Sequence, residues 1–220
     1  MNNDKLYFDI ETIPSQKSWV KEHIEAKVKP PGTIKKPESL EKWMNENREA
    51  AIQEALDKTS FSGATNHIVT IAWAINDDPV CSLQVNHDVL EESFVLKTFF
   101  TSIEKLKMGS VFVGHNILGF DINVLKQRAM VLGIPIPRIF PIDAKPWGTE
   151  VYDTMLKWDS RSFVGIDLIS KAFGLKGKGE IDGSMVYPMW QEGRYAEIAA
   201  YCEDDVRMSR EVYKRMTFGN

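Results

Sequence analysis

The feature that most restricts this chain is Y-F-D-I-E-T, Tyr7 to Thr12, a short run that reads as a buried strand yet carries Asp9 and Glu11. Side chains on a strand alternate between faces, so residues two apart stand side by side. Two carboxylates, both negative at neutral pH, are thus set next to each other on a strand that also has a core to face. An unpaired buried charge is costly, so the rest of the fold has to bring something to them.

That strand is placed at Lys5 to Ile10. A polar stretch from about 14 to 65 follows, with K-P-P-G-T at 29–33 and a helix expected over Pro37 to Asp57. Pro37 suits a first helical turn, and Glu41, Lys42, Glu46, Arg48 and Glu49 suit a solvated face. The stretch reads as a mostly helical surface excursion between two strands; Lys29, Lys35 and Lys36 within it are candidates for touching a phosphate backbone. H-I-V-T-I-A-W-A-I (67–75) is a nearly unbroken apolar run rich in β-branched residues, the mark of a central strand. N-D-D-P (76–79) signals a turn, and V-C-S-L-Q-V-N (80–86) a partner strand. Helical periodicity covers Asp88 to Lys105. S-V-F-V-G (110–114) is a further buried strand, and Asp121 to Leu132 a helix stopped at Gly133. A short edge strand is placed near Val151 to Asp153, and helices over Ile166 to Phe173 and Tyr195 to Met216.

This order predicts an α/β fold: a mixed sheet of about five strands, with a three-strand antiparallel meander, parallel strands returning through helical crossovers, and helices on both faces. With 220 residues, 43% of them hydrophobic, the length fits one domain spanning 1–220. The net charge of −4 excludes a basic protein that coats nucleic acid, so any phosphate contact must be local or made through metal ions. Cys81 and Cys202 have no paired spacing, and His23, His67, His87 and His115 are scattered, which argues against a disulfide framework or a zinc site. The first residues lack a signal-peptide core, and no apolar run reaches the ~18 residues of a membrane span. A soluble cytoplasmic protein with no membrane partner is expected.

Two further acidic features stand out. In G-H-N-I-L-G-F-D (114–121), Asp121 opens a helix after a buried strand; its ordinary reading is an N-cap, and Asn116 and Gly119 read ordinarily as turn residues. In A-Y-C-E-D-D-V (200–206), Tyr201 and Asp205 are four apart and share a helix face. Ile198, Tyr201, Cys202, Asp205 and Val206 lie on or beside one stripe, while Glu203 and Asp204 point toward solvent. Among 31 acidic residues each feature alone is weak. Together they can converge at one edge of a sheet, and no lysine or arginine within the motifs is spaced to neutralise them. Hard divalent cations with oxygen ligands, Mg²⁺ or Mn²⁺, are the economical solution. Two such ions roughly 3.5–4 Å apart are the usual device for phosphodiester cleavage.

F-D-I-E-T, G-H-N-x-x-x-F-D and Y-x-x-x-D, in that order, resemble the three motifs of the DEDD 3′→5′ exonucleases, the DnaQ-like branch of the ribonuclease H-like fold. The tyrosine resembles that of the DEDDy subgroup. The chain is most similar to the proofreading exonuclease domain of family B DNA polymerases, expected here as a stand-alone enzyme, and 167–186 resembles that branch's connecting segment. The resemblance implies Asp9, Glu11, Asp121 and Asp205 as ligands of two divalent cations, its three-residue gap selecting Asp205 over Asp204. It implies Tyr201 as a fifth catalytic residue acting on the attacking water; an ordinary phenol pKa near 10 favours positioning over general-base action. Implied substrate contacts are Thr12, Asn116, Phe120, Lys176 and Lys178, each of which also has a plain reading as a strand, turn, core or loop residue. Asp153 is read as structural and His115 as packed or hydrogen-bonded. The activity implied is metal-dependent release of nucleoside 5′-monophosphates from the 3′ end of single-stranded DNA. The alternatives are the same chemistry on RNA, or a nucleic-acid-binding module without catalysis. Proofreading would need a replication or repair protein in trans; the 14–65 excursion is a candidate docking surface for it, or a flap that guides the strand.

Overall fold

In the computed structural model, which describes residues 3–219, the acidic strand β1 (Lys5–Ile13) lies in the middle of the sheet. The chain continues through α1 (Ser18–Lys27), α2 (Pro37–Glu46), α3 (Arg48–Asp57), β2 (His67–Ile75), β3 (Cys81–Gln84), α4 (Glu92–Ile103), β4 (Val111–Gly114) and α5 (Asp121–Leu132). It ends with β5 (Val151–Asp153), α6 (Thr154–Trp158), α7 (Ile166–Ala172), α8 (Val186–Gln191) and α9 (Tyr195–Met216). The strand order is β3-β2-β1-β4-β5. β1 is antiparallel to β2, and β2 to β3, while β1, β4 and β5 run parallel. This is the mixed five-stranded α/β sheet expected from the sequence, with the meander on one side of β1 and the crossovers on the other.

The sheet is covered on both faces, which is why β2 reads as an unbroken apolar run rather than an alternating one. Leu6, Phe8 and Ile10 of β1 join Ile71 and Trp73 of β2 in the larger core beneath α4 and α5, with Phe99, Phe112 and Leu125. Tyr7 faces the other way, into a smaller core with Ala72, Ala74, Val113, Cys202, Val206 and Tyr213 under α9. Asp9 and Glu11 follow Tyr7 on that face, opposite Ala72 and Thr70 of β2.

Two local features differ from expectation. The helix expected over 37–57 is divided at Asn47 into α2 and α3. β1 runs three residues further, with a register shift between Glu11 and Thr12, a bulge of the kind that re-aims side chains beside functional sites. The Thr12 hydroxyl donates to the Ser60 carbonyl at 2.9 Å, and the Ser15 amide donates to Thr59 Oγ1 at 2.8 Å. The end of the excursion is thereby fastened beside the end of β1.

Below the sheet, Glu92 is 1% exposed and accepts from Arg128 Nε (2.7 Å) and Nη2 (2.6 Å), and from the Ile68 amide (3.0 Å). His67 Nδ1 is 3.1 Å from its other oxygen. This buried bidentate pair ties α4, α5 and β2 together. Its arginine and histidine partners hold the Glu92 carboxyl below its ordinary range against the opposing effect of burial. No described helix is long and apolar enough to cross a membrane.

Candidate active site

The parallel arrangement decides where the acidic residues meet. β1, β4 and β5 point the same way, so Glu11, the 115–120 loop and Asp153 all gather at their carboxyl ends, the usual ligand edge of an open α/β sheet. Gly114 lets β4 end tight against β1: a Cβ there would lie 2.9 Å from the Phe8 carbonyl and 2.3 Å from Ile117 Cγ2. The chain then turns through Asn116, whose backbone is left-handed (φ 62°). Asp153 holds the turn, accepting from the amides of Asn116 (2.9 Å) and Leu118 (3.0 Å) while capping α6 through Met155 and Leu156. His115 Nδ1 lies 2.9 Å from Thr154 Oγ1, and that hydroxyl donates to the Gly114 carbonyl. Burial lowers the His115 pKa, so it is a hydrogen-bonded packing residue.

Asp121 does not cap its helix in the ordinary sense. The N-cap position is Phe120, and Asp121 is the first helical residue. Its Oδ1 accepts from the Ile10 amide of β1 at 3.1 Å, past the point where β4 pairing stops at Tyr7 and Val113. The N-cap reading is thereby replaced by a bond from helix to strand that draws this carboxylate to Asp9.

From the other side, α9 presents Tyr201, Cys202 and Asp205. Cys202 Sγ lies 3.4 Å from both the carbonyl and Oδ2 of Asp9. Asp204, the rival of Asp205, is exposed and paired with Arg207, whereas Asp205 is buried. The four acids from β1, α5 and α9 lie close enough for their charges to act on one another. Burial first, then Asp121, Asp205 and Glu11, holds the Asp9 carboxyl well above its usual range. Burial and Asp205 do the same for Glu11. Asp121 is raised to about 7, chiefly by burial and despite the bonds from its own amide and that of Ile10. Asp205 is raised by burial against the pull of Lys178.

Among the described residues, Lys178 is the cation that reaches this cluster. Its Nζ donates to Asp205 Oδ2 at 2.5 Å and to the Tyr201 hydroxyl at 2.9 Å, and lies 4.9 Å from that ring's centre. The loop carrying it is anchored on α7, where Asp167 Oδ1 accepts from the Lys178 amide at 2.7 Å. Gly177 allows this approach, since a Cβ there would meet Asp167 Oδ1 at 2.3 Å. Between the 175–181 loop and α9 lies a cavity of about 540 Å³ that opens on Lys178, Tyr201 and Asp205, with Lys176 on its wall. Burial, Glu11 and Asp205 push the Tyr201 phenol far up, so it keeps its proton.

The other sequence candidates are scattered around this centre. Phe120 sits edge-on to the exposed Phe61 at 6.4 Å, so the excursion adds an aromatic that the motifs did not single out. The Thr12 hydroxyl is engaged on Ser60. Lys176 is exposed.

The donor set suits hard divalent cations. Glu11 is 9% exposed, yet its carboxylate accepts no hydrogen bond from any described residue. Four carboxylates face one ammonium, and carboxylate oxygens are the ligands that Mg²⁺ and Mn²⁺ prefer.

A family model described as "Predicted 3'-5' exonuclease related to the exonuclease domain of PolB" matches residues 61–219, and the chain belongs to that family. The match starts at Phe61, so the placement of Asp9 and Glu11 rests on the geometry above. Among solved structures, the chain is similar to the family B DNA polymerase from the hyperthermophilic archaeon Pyrobaculum calidifontis, with a TM-score of 0.61 and 17% identity. The likeness covers 99% of this chain and 25% of the polymerase. The chain thus spans about a quarter of the polymerase's length, and at this identity the likeness carries the fold alone. No curated protein matches the sequence.

Proposed function

We propose that this chain hydrolyses the terminal phosphodiester at the 3′ end of single-stranded DNA and releases nucleoside 5′-monophosphates. The observation that carries the reading is the convergence of Asp9, Glu11, Asp121 and Asp205 from three elements, with Glu11 buried and unpartnered. These four residues are the proposed holders of two divalent cations, Mg²⁺ or Mn²⁺. Bound there, such ions neutralise the carboxylates, lower the pKa of water and stabilise the departing oxygen.

The chain's own residues position the substrate. Tyr201, protonated and beside Asp205, donates to and orients the attacking water rather than abstracting its proton. Lys178, whose ammonium pairs with Asp205, would serve a phosphate oxygen where cations took its place on that carboxylate. Lys176 on the cavity wall serves the next phosphate. Asn116 faces the terminal sugar, and Phe120 with Phe61 offers a stacking surface, a contact that contributes about 1–3 kcal/mol per base. Thr12 acts through the bulged backbone that its hydroxyl fixes. A strand end left by a replication or repair protein supplies the substrate under this reading.

The test is an end-labelled oligonucleotide incubated with Mn²⁺ and wild type, Asp9→Ala or Asp205→Ala. Wild type is expected to shorten it strictly from the 3′ end to monophosphates. Each variant loses about a hundredfold or more in rate, because losing one ligand removes several kcal/mol of transition-state stabilisation. Undiminished cleavage by either variant, or faster loss of a matched RNA, overturns the reading as stated.

A further inference from the structure

Cys202 is fully buried, and the motifs give its thiol no task. Its sulfur nevertheless lies with one carboxylate oxygen each of Asp9 and Glu11 in a group whose ligand atoms are all within 4.8 Å of one another. The thiol donates to Asp9 Oδ2 and to the Asp9 carbonyl, each at 3.4 Å. A tetrahedral ion bonded to sulfur at ~2.3 Å and to oxygen at ~2.0 Å requires a sulfur–oxygen edge of about 3.5 Å, so this edge is already formed. The third donor, Glu11, is nine-tenths buried, turned into the group and without a hydrogen-bond partner among the described residues. Asp9 is half-buried, which leaves a way in. Spacing along the sequence hides this set, because the sulfur lies 193 residues from Asp9.

We propose that Asp9, Glu11 and Cys202 form a site for a thiophilic divalent cation, Zn²⁺ or Cd²⁺, distinct in its ligand set from the all-oxygen arrangement proposed above. Soft sulfur selects such ions over Mg²⁺. Binding exchanges the thiol proton, released to buffer, for a metal–sulfur bond. Because the ion takes Asp9 and Glu11 for itself, it competes with the hard cations and inhibits the nuclease. The site is tested without any nuclease assay, so its failure leaves the hydrolase reading untouched.

Two single-cysteine proteins separate the thiols: Cys81→Ser, which keeps Cys202, and Cys202→Ser, which keeps the exposed Cys81. Each metal-free protein, its fold checked by circular dichroism, is titrated with cadmium chloride while the ultraviolet thiolate-to-cadmium charge-transfer band is followed. In the Cys81→Ser protein the band is expected to saturate at one equivalent. Adding Glu11→Gln to it weakens cadmium binding about tenfold or more, and the Cys202→Ser protein shows no band at one equivalent. A band of equal size in the Cys202→Ser protein, none in the Cys81→Ser protein, or no effect of Glu11→Gln overturns the proposal.

Discussion

The carboxylate cluster makes a thermodynamic prediction that needs no substrate: stripped of metal, the protein should lose stability as pH rises from about 5 to 8. Asp121 has a folded pKa of about 7 against an ordinary 3.8. Between those values the folded chain holds a proton that the unfolded chain releases, so stability falls with rising pH. Below about pH 4 both states are protonated and the cost vanishes; above about pH 7 it is present in full. Held this far up, the carboxyl costs ~4 kcal/mol, a large part of the 5–15 kcal/mol typical of a folded domain. Asp9, Glu11 and Asp205 are raised too, and the proton taken up belongs to the cluster rather than to one residue. Asp121→Asn isolates the effect, since the amide oxygen can still accept from the Ile10 amide. The assay is urea unfolding in chelator, for wild type and variant, at several pH values across this range. Wild type should weaken toward pH 8, and the variant should weaken less, by up to ~3 kcal/mol, the part of the cost that accrues above pH 5. Mg²⁺ added at pH 8 should restore wild type more than the variant. A wild type as stable at pH 8 as at pH 5 in chelator, or a variant with the same slope, refutes the reasoning.

Glu92→Ala should cost about 3–5 kcal/mol in chemical unfolding, because it strands the buried Arg128 guanidinium. Glu92→Ala with Arg128→Met should recover part of that loss, and no recovery would show that the pair is not what α4 and α5 rely on. Gly114→Ala should cost about 1–3 kcal/mol, because its Cβ would press on Ile117 and the Phe8 carbonyl. It should lower 3′-end cleavage measured under conditions where the variant remains folded; unchanged turnover would show that the close approach of β4 to β1 does not set the site.

Much of the frame is legible where burial writes a pattern. β2 and α9 coincide with the expected 67–75 and 195–216: the first is covered on both faces and reads as an apolar run, the second keeps one buried stripe over six turns. The short α6 and α8, five and six residues long, offer too few turns for a period to show, and were not expected. The break at Asn47 is equally hidden, since α2 buries no residue and α3 buries Ile52 alone, too little for a core face to register the change of direction. Tyr201 and Asp205 are readable because four residues make one turn. Lys178 is not readable as the partner of Asp205, 27 residues away, because its position depends on Asp167 anchoring the intervening loop. Asp153 gives no local sign of gripping the 115–120 turn beyond its place before a helix.

The placement of the acids depends as much on what lies opposite them as on the acids themselves. Asp9 pairs with Ala72 and Tyr7 with Ala74, both buried. Small side chains at these two positions of β2 let α9 settle close over β1, and that approach brings Cys202 against Asp9 and Asp205 into the cluster. The opposite face of the same strands carries Ile71 and Trp73, which suit a thicker layer against α4. The two faces of one strand pair therefore meet their helices with different side chains, and on the face with the alanines a carboxylate from a helix joins two from a strand. The run H-I-V-T-I-A-W-A-I thus contributes to the site through its alanines, residues whose chemistry gives no hint of it.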